Sequence, residues 1–426
     1  MRIKLHWQIL IAIVLAGFAG YLFPQFLAVY EFVGRLFINA LKMIIVPLVT
    51  ASIIIGVAGL GSGEHIGRLG LKTVSFYVVT TLSAILVGLV LVNVFQPGLD
   101  NGEPVKELLS LSASSADVQS TVGDKGWADV VEVFVRMIPS NIIEAAGDNG
   151  RLLALIFFSI LFGFFMTRLD HVYAEHLFNF WDAVYQVMMM ITELVMKTAP
   201  LGVFGLIAAV VAKQIQDLEE KTGGLDAIAS ILTTLGHFAL VVLGALLIHI
   251  LVTLPLLLKF VGKIKPYKMF PAMAESLLAA FSTASSSATL PITMDCARDK
   301  AGVSSKVASF VLPLGATVNM NGTALYECVA VIFLAQAYGV ELSIATQLII
   351  VVVALLTSIG VAGVPAASLV AITIILTVIG MPAEAIGVLF ITDRILDMAR
   401  TSTNVFGDAC CAVIVARLEG EDTNLT

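Results

Sequence analysis

The chain is predicted to be an all-α protein that crosses a membrane many times, and three observations predict it. Of 426 residues, 58% are hydrophobic and only 13% are charged. A soluble domain uses about 25% charged residues to cover its surface, so most of this surface must face lipid. Mean hydropathy is +0.98, and charge-free windows long enough to cross a hydrocarbon core recur along the chain. The net charge of −7, from 24 basic and 31 acidic residues, also argues against a nucleic-acid partner, which selects basic surfaces.

The windows are justified in order. Met1-Arg2-Ile3-Lys4 precedes an uncharged run, Leu5–Tyr30. That run is long enough to span and stay, unlike the short apolar stretch and A-x-A site of a cleaved signal. Met43–Gly63 and Thr73–Leu99 each read as one spanning helix, and Arg151 and Arg168 bracket another, Leu152–Thr167. Ala183–Ala212 is interrupted only by Glu193 and Lys197, four apart and able to pair on one helix face. Ala227–Leu258 is a long span holding His237 and His249. Cys296, Cys328, Cys410 and Cys411 lie in or beside apolar segments without metal-type spacing, and read as small packing residues.

The last third behaves differently. Leu342–Ala383 is 42 residues without a formal charge. One helix of that length would be about 63 Å long, against a core of roughly 30 Å. Gly360, Gly363 and Pro365 at its middle release the helix, so a re-entrant hairpin is expected. Ser276–Met294 is a second short apolar stretch, with Ser282-Thr283-Ala284-Ser285-Ser286-Ser287 at its centre. A polar-tipped hairpin followed by a long polar helix therefore occurs twice, over 276–340 and 342–417. Paired interrupted segments point to a transporter's substrate site, because irregular backbone at membrane depth needs protein or a wet cavity around it. Ser-rich and Gly-rich loops outside the membrane are the alternative.

Basic residues set the orientation. Arg2, Lys4, Arg68, Lys72, Lys259, Lys263, Lys265, Lys268, Arg298, Lys300 and Lys306 can share one side, whereas Asp100–Lys125 carries five acids against two lysines. Eight spans and two hairpins follow, with both termini cytoplasmic in a cell (inner) membrane.

Thr392–Ala416 reads as a membrane helix holding Asp393, Arg394, Asp397, Arg400 and Asp408. Inserting five such groups would cost roughly 12–18 kcal/mol at the membrane centre, most of which packing among apolar helices would not offset. Asp397, Arg400, Thr401, Asn404 and Asp408 step by three, one, three and four, which puts them on one face. A guanidinium suits a carboxylate, an aspartate beside it attracts an ammonium, and Asp408 offers hard oxygens to a small cation. The face describes a site for a zwitterion with an additional acid group; an ion-pair stripe joining two helices is the other reading. Gly315-Ala316-Thr317-Val318-Asn319-Met320-Asn321-Gly322-Thr323 is poor in helix formers and rich in oxygen donors. It suits an unwound cation-binding turn, or interhelical hydrogen bonds.

These residues resemble the excitatory amino acid transporter family, the dicarboxylate/amino acid:cation symporters. Ser285-Ser286-Ser287-Ala288-Thr289-Leu290-Pro291 looks like the first hairpin tip, Asn319-Met320-Asn321-Gly322-Thr323 like the unwound NMDGT motif, and Ala362-Gly363-Val364-Pro365 like the second tip. Asp393 to Asp408 looks like the last helix. The short termini and modest external loop resemble prokaryotic members. The resemblance implies a homotrimer in lipid, with a static scaffold and a transport domain that moves like an elevator. Scaffold helices 1–2 would occupy 1–70 and helices 4–5 would occupy 126–215, with an extracellular loop at 100–125. The moving part would hold helix 3 (71–99), helix 6 (226–262), the hairpins (267–300 and 342–383), helix 7 (304–340) and helix 8 (384–417), before a tail at 418–426.

The resemblance also implies roles. Asp397 and Thr401 would take the substrate ammonium; Asn404 and the backbone around Ser285, Ser286, Gly363 and Val364 would take the α-carboxylate. Arg400, assisted by Thr323, would take a side-chain carboxylate. Members for neutral amino acids usually lack that arginine, so L-glutamate or L-aspartate is expected. Sodium would bind at Gly315, Asn319, Asn404 and Asp408, and at Thr317, Ser358, Ile359 and Val361. A third site at Tyr77, Thr80, Thr81, Asn319 and Asn321 would be weakened or absent, because Asn321 replaces the family's aspartate. Glu327 sits where vertebrate members carry a proton. No cofactor is expected beyond the transported sodium ions or protons. Rival readings are a carrier for C4-dicarboxylates or neutral amino acids on the same fold, a passive channel, and an intramembrane hydrolase. The hydrolase lacks any G-x-S-x-G around Ser285–Ser287 and any marked base.

Overall fold

A computed structural model describes residues 5–59, 64–100, 102–109, 111, 118–119, 122, 131, 134–147, 152–218, 224–360 and 367–425. Among the described residues the regular structure is helical apart from an antiparallel ribbon of two two-residue strands, β1 (Leu99–Asp100) with β2 (Glu103–Pro104). Helix α1 (Leu5–Leu22) stops at a turn, and the chain bends by 107° through Pro24–Phe26 into α2 (Leu27–Ala58). This corrects the expected windows Leu5–Tyr30 and Met43–Gly63. Pro24 lacks the N–H that would continue α1, yet it suits the first position of a new helix. Conversely, the exposed Glu31 and Arg35 do not interrupt α2, since their side chains leave the backbone hydrogen bonds intact.

Helix α3 (Glu64–Phe95) leads into the ribbon. The short α4 (Ile142–Ala146) is capped by Asn141, whose Oδ1 accepts from Ile143 N at 2.9 Å and Glu144 N at 3.3 Å. Next come α5 (Leu152–Met166), α6 (His171–Lys197) and α7 (Ala199–Leu218). Glu193 and Lys197 pair at 3.0 Å, as expected. The window around them is nevertheless two helices, which part at Thr198, just before Pro200 in the first turn of α7. Helix α8 (Gly224–Ile248) continues through a π turn at His249–Thr253 into α9 (Leu254–Phe260).

Seven α-helices make up the described residues of the last part: α10 (Met269–Thr283), α11 (Ser286–Asp295), α12 (Ser305–Val318), α13 (Asn321–Ala337), α14 (Ile344–Gly360), α15 (Ala367–Ile379) and α16 (Phe390–Leu418). Helices α10/α11 and α14/α15 pack as two consecutive short pairs, each followed by a longer helical stretch. Main packing falls into two groups. Helices α1, α2, α5, α6 and α7 pack mainly on one another, while α3 and α8 pack with α10–α16. By length and composition, three described stretches can cross a membrane, or five if each bent pair counts as one. They include Leu69–Phe95, Ala229–Phe260 and the joined Ser305–Ala337; the last has 94% of its most apolar window buried inside the chain, so protein surrounds it.

The chain end is woven into this second group. Glu421 accepts from Ser304 Oγ at 2.6 Å and Ser304 N at 3.1 Å, Asn424 N donates to Ala301 O at 3.0 Å, and Lys265 N donates to Leu425 O at 3.0 Å. Lys72 Nζ reaches Leu418 O at 3.0 Å and pairs with Glu419.

Candidate functional site

The site forms where α16 crosses the break between α12 and α13. Asn319 (φ −106°, ψ 79°) and Met320 (φ −103°, ψ 56°) leave helical geometry, so the expected unwound turn is present. Close approach between the two elements requires glycine at two points. A Cβ on Gly407 would lie 2.6 Å from Asn321 Nδ2, and one on Gly322 would lie 2.8 Å from Arg400 O. The start of α13 then needs a partner for its first N–H groups. Asn404 on α16 supplies it: Oδ1 accepts from Gly322 N at 2.8 Å and Thr323 N at 3.4 Å, while Nδ2 donates to Thr323 Oγ1 at 3.1 Å.

One end of the site is ionic. Arg400 is fully buried, and its Nη2 donates to Asp393 Oδ1 and Asp397 Oδ1, both at 2.9 Å. Its Cζ lies 3.8 Å from the ring centre of the buried Tyr326, a cation–π geometry. Nε and Nη1 of Arg400 are buried without a hydrogen-bond partner. Arg394 Nη1 lies 3.7 Å from Asp397 Oδ2. A guanidinium held on one edge with its other donors open is prepared for a planar anion.

The other end collects neutral oxygens around one carboxylate. Asn319 Nδ2 donates to Asp408 Oδ1 at 2.8 Å, and Thr80 and Thr81 donate to Asn319 Oδ1 at 3.3 and 3.4 Å. A Cβ on Gly315 would sit 2.5 Å from Asp408 Oδ1 and 2.8 Å from Tyr77 Oη, so glycine keeps the main chain close to both groups. Tyr77 Oη itself donates to Val311 O at 2.6 Å. Asn321 is fully buried and neither amide atom has a partner. Six residues further along α13, Glu327 is also fully buried; its Oε2 meets Thr357 Oγ1 at 2.8 Å, and its Oε1 is unpartnered.

The first hairpin turns at Ala284 (φ +50°), and Ser285 caps α11 by accepting from Ala288 N at 3.2 Å. Ser286 follows, buried. On the second hairpin, Ser358 Oγ donates to Leu355 O at 2.8 Å, and Thr317 Oγ1 on α12 donates to Leu314 O at 3.0 Å. Val361, Gly363 and Val364 lie outside the described residues, as does the rest of that tip. The structure thus brings Asp397, Arg400, Asn404 and Thr323 together, and separately Asn319, Asp408, Gly315, Tyr77, Thr80 and Thr81. Thr401 is buried on the same helix.

Sequence reasoning gave no role to Asp393, Tyr326, Arg394 or Thr357. Asp393 was within reach of it, being seven residues before Arg400 and so two turns away on the same face. Tyr326 and Thr357 come from other helices, and nothing in their spacing marks them.

Comparison with known proteins identifies the family. The model of the sodium:dicarboxylate symporter family matches residues 5–418. A proton/sodium-glutamate symport protein of Bacillus caldotenax is 35% identical over 426 residues, covering 99% of this chain and 96% of that protein. A proton/glutamate-aspartate symporter of Escherichia coli (strain K12) is 34% identical, with 98% and 94% covered. Excitatory amino acid transporter 3 of Mus musculus is 34% identical, with 92% and 80% covered. The match over nearly the whole length includes the helix break, the polar last helix and both short helix pairs, and the chain belongs to the sodium:dicarboxylate symporter family, whose members are membrane transporters and not enzymes.

Proposed function

We propose that this chain is a secondary active symporter that couples uptake of L-aspartate or L-glutamate to inward flow of sodium ions, protons or both. The observation that carries the reading is Arg400: a fully buried guanidinium with Nε and Nη1 unpartnered, stacked on Tyr326 and anchored by two aspartates. An acidic side chain would take those open donors. Its ammonium would share Asp397 with Thr401 alongside, and its α-carboxylate would meet Asn404 and the two hairpin tips, at Ser285, Ser286, Gly363 and Val364.

Cations enter the same scheme. Gly315, Asn319, Asn404 and Asp408 form the first sodium site, and Thr317, Ser358, Ile359 and Val361 the second. Tyr77, Thr80, Thr81, Asn319 and Asn321 form a weakened third. Glu327 carries a proton. Its support is the crowding at Thr357, whose single hydroxyl hydrogen faces Glu327 Oε2, Val353 O at 2.9 Å and Ala354 O at 3.1 Å. A protonated Glu327 would donate to that hydroxyl and free it to serve a carbonyl.

The assembly is a homotrimer in the cell (inner) membrane with both termini cytoplasmic, built from eight spans and two hairpins. Segments 1–70 and 126–215 form the scaffold. Segments 71–99, 226–262, 267–300, 304–340, 342–383 and 384–417 move as one elevator. The division of the packing into two groups supports this reading. The test is uptake of labelled L-aspartate into proteoliposomes with sodium, proton and potassium gradients imposed one at a time. Accumulation against the substrate gradient, driven by a cation gradient, is the expected result; flux that only equilibrates would make the chain a passive pathway instead.

A further inference from the structure

Asp397, the group proposed to hold the substrate ammonium, has both carboxylate oxygens facing guanidinium groups. Oδ1 accepts from Arg400 Nη2 at 2.9 Å, and Oδ2 lies 3.7 Å from Arg394 Nη1. Arg394 is itself nearly buried, with a side chain 11% exposed, and its Nε is buried without a partner. Four charged side chains thus stand within two turns of α16: Asp393 and Asp397 against Arg394 and Arg400. Their formal charges cancel.

We infer that Arg394 is a specificity-determining residue, setting how strongly the site demands an ammonium group on its dicarboxylate substrate. The inference rests on the proposed substrate reading. A lone aspartate paired only with Arg400 would attract an ammonium and repel a substrate lacking one. Arg394 on the second oxygen weakens both effects. It competes with the ammonium for Asp397, and it offsets the field that would reject a dianion. The wild-type site therefore takes a C4-dicarboxylate that has no amine, at reduced affinity, alongside the amino acid. Arg394 does not need to touch the substrate to do this; it acts through Asp397.

The test uses the full-length transporter, with L-aspartate and succinate as probes, measured by competition with labelled aspartate in proteoliposomes. In the wild type, succinate should compete within about 100-fold of aspartate, a penalty the size expected for losing one partly offset charge contact. Arg394→Gln keeps the length and polarity but removes the charge, and should widen that ratio by about tenfold or more, with aspartate gaining and succinate losing. Arg394→Lys should hold the ratio near wild type. A merely structural role would weaken both ligands alike and leave the ratio where it was; that outcome overturns the inference. Wild-type rejection of succinate by more than about 10,000-fold also overturns it, while leaving the amino acid reading intact, and needs no variant to fold. Binding of neither probe would instead remove the proposed function itself.

Discussion

Asn321 is where a single change of charge should report on cation coupling. The side chain is fully buried, neither amide atom has a partner, and Gly407 presses within a Cβ's reach of it. Leaving a buried polar group unpaired costs about 1–3 kcal/mol, so the amide oxygen is placed to serve as a ligand to a sodium ion. Asn321→Asp is nearly isosteric and adds one negative charge. At 4 Å and an effective dielectric constant near 20, a unit charge is worth about 4 kcal/mol to a cation. The carboxylate's own desolvation takes back part of this, so we expect a gain of at least about tenfold in sodium affinity. The assay is aspartate affinity measured across a series of sodium concentrations. The logarithmic slope should be below three in the wild type and should rise by about one in the variant. A wild-type slope of three that the substitution leaves unchanged would refute the reasoning, because the third site would then already be filled without the carboxylate.

Arg400→Cys should abolish binding of acidic amino acids, losing a charge-assisted contact worth roughly 2–5 kcal/mol; retained aspartate binding within a few-fold would remove the assigned role. Glu327→Gln cannot exchange a proton, so uptake should lose its pH dependence while exchange of bound substrate continues; an unaltered pH profile would leave Glu327 a packing group for Thr357. Gly407→Ala should lower thermal stability, since the added methyl would lie 2.6 Å from the side-chain amide of the fully buried Asn321. Overpacking of that kind costs about 1–3 kcal/mol, and an unchanged melting temperature in detergent would show that the crossing is looser than described.

The parts of the fold that were legible are those in which charge or glycine punctuates apolar runs. The break at Asn319–Met320, the turn at Ala284 and the polar face of α16 all follow from residue types that lipid would penalise without a compensating site. The first half misled where that logic was applied too strictly. The window Leu5–Tyr30 stops before Glu31, yet α2 continues past Glu31 and Arg35, because a charged side chain at a helix surface leaves the backbone hydrogen bonds intact. Pro24 and Pro200 were the better signals. Hydrogen bonds between distant elements stayed out of reach. Asn404 capping α13, Thr357 facing Glu327 and Tyr326 under Arg400 join helices separated by 81, 30 and 74 residues, and no local pattern encodes such pairs.

The charge count of the site also bears on why a cation should accompany this substrate. Asp393, Asp397, Arg394 and Arg400 sum to zero, and Asp408 adds one negative charge at the far end. An acidic amino acid carries a net charge of −1, so on the proposed reading the loaded site, with Glu327 protonated, would stand at −2 before any cation binds. Charge left unbalanced in a region walled by apolar helices is costly. A cation beside Asp408 restores one unit, and a second cation, at either remaining site, restores the other. The substrate therefore binds tightly only after, or together with, at least two positive charges; a proton on Glu327 keeps that residue from adding a third negative one. Coupling in this view is electroneutrality enforced by burial, and it needs no direct contact between the amino acid and the ions. It follows that Arg394→Gln, which leaves the site one unit more negative, should steepen the dependence of aspartate binding on sodium as well as sharpen the preference for an amine. A variant that altered ligand preference with no change in the sodium dependence would show that the two ends of the site are electrostatically independent.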